Sequence, residues 1–254
     1  MRLTVLGSAA SFAGAGQACA GHLVEDGEVR LLLDCGNGVL ANLAKVADPY
    51  GLDAVFITHD HVDHFGDLYA LQAMLRYAPS GPLSPLPLYL PAGLFERMKC
   101  LLSERGAVEL DEAFVVHELE DTVTVEIGTL AVTPVSVEHT ETSFALLVER
   151  EDARLCYTSD AKPTEALQVA ATAVDLLLAE ATLPAGYEGR APHMSATQAA
   201  TIAWLAGVHR LVLTHIWPTN DREAALAEAR AVFDGPISLA EELDVYDIAP
   251  ATDA

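Results

Sequence analysis

Thr58-His59-Asp60-His61-Val62-Asp63-His64 is the stretch on which the reading of this chain turns. Three histidines and two aspartates fall within its last six residues, directly after the apolar run 54–58. A short apolar run of that kind predicts a buried strand. A strand end is where a loop can turn several side chains toward one point. Imidazole and carboxylate suit zinc and its neighbours, so the segment predicts a metal site rather than a solvated polar loop. His59 and His61 can converge on one ion while Asp63 and His64 reach a second.

Outward from this segment, single residues of the same chemistry follow further apolar runs. His139 comes after 135–137, Asp160 after 155–157 and His215 after 211–213. His22, His117 and His209 lie in or beside strand-like runs with no acidic cluster nearby, and read as ordinary satisfied or exposed histidines. His193 differs. It sits in Pro192-His193-Met194-Ser195, where Ser195 is a suitable helix N-cap and capping has no use for a histidine.

The surrounding pattern is strand-rich. Strands are expected at 3–6, 22–25, 29–34 and 54–58, with helices over 37–46 and 65–77 and a proline-rich loop over 79–87. In the second half strands are expected at 114–117, 122–127, 130–137, 144–149, 154–158, 176–179 and 210–213. Helices are expected over 161–171 and 195–206. Two strand-rich halves, each ending in helices, predict a sheet-on-sheet core with helices outside. No short-period repeat and no linker divides the chain, so residues 1–254 read as one domain, with disorder expected only at 250–254.

Composition narrows the partners. The net charge is −23, from 14 Lys and Arg against 37 Asp and Glu. Such a surface repels phosphate backbones, which disfavours nucleic acid as a partner. No apolar stretch is long enough to span a membrane. Cys19, Cys35, Cys100 and Cys156 show no C-x-x-C spacing, so a reducing compartment, the cytoplasm, is expected. Ala18-Cys19-Ala20 imitates a signal-peptide cleavage site, but Gly and Ser interrupt the preceding apolar region and one positive charge precedes it.

The His59–His64 segment resembles the H-x-H-x-D-H signature of the metallo-β-lactamase superfamily, and the resemblance covers nearly the whole chain. It implies an α/β fold, the αββα sandwich of two mixed sheets packed face to face with helices outside. It also implies a ligand set. His59, His61 and His139 hold one metal, Asp63, His64 and His215 the other, and Asp160 bridges them. Within the superfamily the chain looks most like the tRNase Z-like branch and related cyclic-nucleotide phosphodiesterases. Ala179-Glu180-Ala181-Thr182 resembles their H-E-A-T motif with its first histidine replaced, and His193-Met194-Ser195 resembles H-S/L-T. Leu6-Gly7-Ser8 and Leu33-Asp34-Cys35-Gly36-Asn37-Gly38 also look like that branch.

The catalytic candidates are therefore Asp63, His193 and Glu180. His193 suits a general acid, and Glu180 would accept a hydrogen bond from its other ring nitrogen. The implied cofactors are two divalent ions, zinc first, with manganese or iron(II) served by the same donors. The implied reaction is hydrolysis of a small phosphodiester, with a 3′,5′-cyclic nucleotide as the leading substrate and a metal-bridging hydroxide as nucleophile. The alternative is a tRNA 3′-end endonuclease. That branch grips tRNA with a long arm between the counterparts of His139 and Asp160, where this chain has only about twenty residues. Arylsulfatase, lactonase and β-lactamase chemistry share the ligand types. A non-catalytic relative would be expected to lose a ligand, and all seven are present. The family resemblance suggests a homodimer.

Overall fold

The computed structural model describes residues 1–250, so most of the tail expected to be disordered lies outside the described residues. Fourteen strands form two seven-stranded sheets. The first contains β1 (Arg2–Gly7), β2 (Gly21–Asp26), β3 (Val29–Leu33), β4 (Ala54–Phe56), β5 (Leu86–Leu90) and β6 (Phe114–Glu118) in that order. The second runs through β7 (Val125–Ile127), β8 (Leu130–Ser136), β9 (Phe144–Arg150), β10 (Ala153–Tyr157), β11 (Leu176–Glu180), β12 (Leu211–Thr214) and β13 (Ile237–Leu239). The last strand, β14 (Val245–Asp247), returns to the first sheet beside β1.

Both sheets follow one plan. In the first, β14, β1, β2 and β3 pair antiparallel, and β4, β5 and β6 continue in parallel. In the second, β7 to β10 pair antiparallel, and β11, β12 and β13 continue in parallel. Parallel strands need crossover connections, and these carry the helices. On the first sheet they are α1 (Val39–Val46), α2 (Val62–Phe65), α3 (Leu68–Arg76), α4 (Leu94–Lys99) and α5 (Glu104–Ala113). On the second they are α6 (Glu165–Ala170), α7 (Ala196–Leu205) and α8 (Arg222–Arg230).

Three apolar clusters hold these layers. Leu31, Phe56, Val132, Leu146, Tyr157 and Leu178 belong to the one between the sheets, with side chains from both. Leu43, Leu71 and Leu110 join the outer face of the first sheet to its helices, and Leu167, Ala200 and Leu213 do the same for the second. The result is the expected αββα sandwich. No helix among the described residues is long and apolar enough to cross a membrane.

Several local expectations need correcting. The helix expected over 65–77 begins only at Leu68, as α3, and Phe65 instead closes the short helix α2; Gly66 and Asp67 separate the two where the Asp67 N–H bonds to the Cys35 carbonyl. The one expected over 161–171 begins only at Glu165, after Pro163, with Thr164 capping it. The expected proline-rich loop runs into β5, whose Leu86, Leu88 and Leu90 are buried in alternation, a pattern hidden by Pro85, Pro87 and Pro91. The helices α4, α5 and α8 and the strands β13 and β14 were not anticipated.

Candidate metal centre

β8 and β10 both run antiparallel to β9, so they point the same way, and β11 and β12 run parallel to β10. The residues that leave their C-terminal ends therefore meet on one edge of the second sheet. They are His139 after β8, Asp160 after β10, Glu180 at the end of β11 and His215 after β12. From the first sheet, His59 and His61 follow β4, and the next turn places Asp63 and His64 on α2. Open α/β sheets bind ligands at such strand ends.

All seven predicted ligands come together. His59, His61, His139 and Asp160 form one group, and Asp63, His64 and His215 form a second, with the donor atoms of each within 4.8 Å of one another. Asp160 faces both. Its Oδ2 lies 3.7 Å from His59 Nε2 and 3.6 Å from His139 Nε2, while its Oδ1 lies 3.3 Å from His64 Nε2 and 3.2 Å from His215 Nδ1. His61 is exposed and His193 is partly so, which marks the side where the site opens to solvent, while the His139 side chain is buried.

The residues fit divalent cations. His139 Nδ1 donates to the Pro192 carbonyl at 2.9 Å, so its Nε2 carries a lone pair, and that atom sits 3.1 Å from His61 Nδ1. His59 Nε2 and Asp160 Oδ1 are buried without hydrogen-bond partners. Convergent lone pairs and orphaned buried acceptors are costly unless a cation lies among them. The charged and neutral groups of the cluster also perturb one another. Burial pushes His59 well below the usual histidine range, helped by His64. Burial acts the same way on His64, but the Asp160 and Asp34 carboxylates outweigh it and hold it well above. Burial opposes the charge on Asp160, yet the surrounding histidines hold its carboxyl well below the carboxylate range.

A second set of residues aims the first. Asp34 is fully buried, and its Oδ2 accepts from His64 Nδ1 at 2.7 Å, the Tyr157 hydroxyl at 2.8 Å and the Thr58 hydroxyl at 3.0 Å. Its Oδ1 accepts from the Thr58 N–H at 2.8 Å. These bonds fix the ring of His64 with Nε2 toward the cluster. Thr58 Oγ1 lies 3.1 Å from His59 Nδ1, and Thr182 Oγ1 lies 2.9 Å from His215 Nδ1. Asp34, Ser159 and His215 adopt left-handed backbone conformations with φ of 59°, 52° and 50°. Strain of this sort persists where its surroundings over-determine it.

Glu180 and His193 sit beside the ligands. His193 Nδ1 is 3.1 Å from both Glu180 oxygens and 3.8 Å from Asp160 Oδ2. Glu180 is itself fully buried and accepts from the Ala161 N–H at 2.7 Å. Burial lowers the pKa of His193, but Glu180 and Asp160 reverse this, and the net shift is upward.

Sequence reasoning quoted Thr58, Thr182 and Asp34 within motifs without giving them a role, took Tyr157 only as the end of an apolar run, and did not mention Ser159. For Thr58, Tyr157 and Ser159 the only signal was position next to a predicted ligand or strand end, whereas Thr182 and Asp34 stood in stretches that resemble family motifs. His22 departs from expectation. It is fully buried with neither ring nitrogen hydrogen-bonded, packs edge-on against Tyr157, and burial lowers its pKa to about 3, which keeps it neutral. His117 and His209 are exposed, as expected.

This architecture defines a metal-dependent hydrolase of the metallo-β-lactamase fold, in the tRNase Z-like branch. The chain belongs to the β-lactamase superfamily domain family, whose model matches residues 29–216. It is 36% identical over 245 residues to the uncharacterized protein Rv1339 of Mycobacterium tuberculosis, covering 93% of this chain and 88% of that one. It is 28% identical over 254 residues to the probable metallo-hydrolase YhfI of Bacillus subtilis, covering 97% and 100%. The YhfI crystal structure superposes with a TM-score of 0.87 at 27% identity, covering 97% of this chain and 99% of that one. Ribonuclease Z of Methanothermobacter thermautotrophicus is 28% identical over 283 aligned positions, covering 88% and 90%.

Proposed function

We propose that this protein is a two-metal phosphodiesterase acting on a small phosphodiester, with a 3′,5′-cyclic nucleotide as its leading substrate. His59, His61 and His139 would hold one ion, Asp63, His64 and His215 the other, and Asp160 would bridge them. Two bound divalent ions, zinc first, supply charge neutralisation at the phosphate oxygens and water ionised near neutral pH.

The observation that carries the reading is the Glu180–His193 pair. An alkoxide leaves poorly unless it is protonated. His193 is partly exposed at the open side of the site, and its Nδ1 is held by a buried carboxylate. That bond orients the ring, favours the imidazolium and leaves Nε2 free to donate a proton to the leaving oxygen. Asp63 has its Oδ2 3.4 Å from His215 Nε2 and 2.7 Å from the Ser11 N–H. It would hold its ion in place and accept a proton from the attacking water.

The likeness to a ribonuclease Z favours a second reading, tRNA 3′-end cleavage. Three observations weigh against it. The segment between His139 and Asp160 is taken up by β9 and β10 with a tight turn. The alignment with that ribonuclease spans 283 positions, more than the 254 residues of this chain, so the ribonuclease carries inserted segments lacking here. Tight tRNA binding also needs several basic contacts, and 14 Lys and Arg against 37 acidic residues provide few. The test compares kcat/KM for 3′,5′-cyclic AMP and for a precursor tRNA under the same metal and salt. The cyclic nucleotide should win by orders of magnitude. Site-specific tRNA cleavage with the cyclic nucleotide untouched would replace this reading with the second.

A further inference from the structure

One rim of the site is built from a segment without charged side chains. Residues 7–24 contain no Asp, Glu, Lys or Arg, in a chain with 37 acidic residues. Within it Ser11 has a φ of 62°, which a non-glycine residue keeps only when its neighbours hold it there. The Ser11 N–H donates to Asp63 Oδ2 at 2.7 Å, and the Ser11 hydroxyl accepts from the Trp217 indole at 3.1 Å. The Ala10 N–H bonds to the Ile216 carbonyl, and the Ile216 N–H to the Ser8 carbonyl, both at 3.2 Å. Gly14 packs so closely on Pro218 that a Cβ there would come within 2.9 Å of the proline Cβ. The segment is thus stapled to the residues that directly follow His215.

Two aromatic residues belong to this staple, Phe12 by sequence and Trp217 by its bond to Ser11. Phe12, next to Ser11, is 49% exposed although its N–H is tied to the Ala10 carbonyl at 2.7 Å. Trp217 is half-buried, with its indole nitrogen committed to Ser11. A lone exposed aromatic needs no explanation. Here two are positioned through one strained serine that also touches Asp63.

We propose that Phe12 and Trp217 form the subsite for the flat aromatic ring of the substrate, a nucleobase, next to the metal-ligand cluster. This rests on the phosphodiesterase reading above. Aromatic faces stack on any base, and a pre-formed backbone loses little freedom on binding. The uncharged rim also spares an anionic nucleotide the repulsion it would meet elsewhere on this surface.

The other tryptophan, Trp204, lies exposed on α7, so Trp204→Phe leaves Trp217 as the single indole reporter. Titrating 5′-AMP into the zinc-loaded Trp204→Phe protein should give a saturable change in emission. Ribose 5-phosphate, which lacks the base, should leave the emission unchanged and bind at least about tenfold more weakly by calorimetry. Phe12→Ala should weaken AMP binding roughly 5- to 100-fold, with ribose 5-phosphate binding and metal content unchanged, and Phe12→Leu should weaken it less. Equal binding of AMP and ribose 5-phosphate, insensitive to Phe12→Ala, would overturn the subsite. The two readings fail separately. Cyclic AMP turnover with a KM indifferent to Phe12→Ala removes the subsite and keeps the reaction. Phe12-dependent AMP binding without cleavage of any phosphodiester removes the reaction and keeps the subsite.

Discussion

Asp34 lies one side chain behind the centre, bonded directly to His64, and it accepts four hydrogen bonds. Replacing it with asparagine keeps the shape but swaps one acceptor oxygen for a donor NH₂ group. With the amide nitrogen at the Oδ2 position, three of the four donors face another donor and His64 loses its fixed orientation; with it at Oδ1, the Thr58 N–H loses its acceptor. Asp34→Asn is expected to weaken metal binding roughly 10- to 100-fold, the usual worth of such a supporting partner. Competition with a fluorescent chelator reads this directly, and unchanged affinity would mean that Asp34 only packs. His193 makes a different prediction, because its role is to move a proton. His193→Ala should lower kcat by roughly 10²–10⁴ with metal content intact. The loss should shrink for nitrophenyl esters, whose leaving groups depart without protonation. Equal losses on alkyl and nitrophenyl esters would rule out leaving-group protonation, and Glu180→Gln should show a milder form of the same pattern.

At the scale of elements, the turn after β3 and the short helix α2 are packed backbone to backbone. The Cys35 N–H bonds to the His64 carbonyl at 2.7 Å, and the Asp67 N–H bonds to the Cys35 carbonyl at 2.9 Å. Gly36 lies between these bonds, and a Cβ on it would stand 1.9 Å from the Asp63 carbonyl oxygen. No side-chain rotation relieves a clash with backbone. Gly36→Ala should therefore push α2, with Asp63 and His64, away from the second sheet. The expected outcome is a lower thermal midpoint and less than one retained ion per chain, measured by calorimetry and metal analysis on the same sample. A variant with wild-type metal content would show that the turn can shift without disturbing the ligands.

The whole molecule is two sheets of the same strand plan whose ligand-bearing edges face each other. The first sheet supplies His59, His61, Asp63 and His64, and the second supplies His139, Asp160 and His215. We propose that the chain folds as one unit, since neither half completes either group of donors. Purified without chelator, the protein should hold two ions per chain. Saturating zinc should raise the midpoint of one cooperative transition, because an ion that binds only the folded chain stabilises it by mass action. Asp160→Ala should lose both ions together, since one carboxylate faces both groups. Two separate calorimetric transitions, or loss of a single ion from Asp160→Ala, would contradict this assembly.

The sequence by itself determined the chemistry of the centre and the layers that carry it. The ligand types stand in the chain one after another, and each follows an apolar run whose length and composition are local signals of a strand. Local pattern failed where local chemistry was ambiguous, as with prolines in and beside β5 or the glycine that splits α2 from α3. The partnerships that aim the ligands were decided only by the tertiary structure. Asp34 meets Tyr157 from 123 residues away, and Ser11 meets Trp217 from 206. A buried hydroxyl, carboxylate or indole takes whichever partner the packed sheets bring within about 3 Å, and no periodicity along the chain encodes that distance.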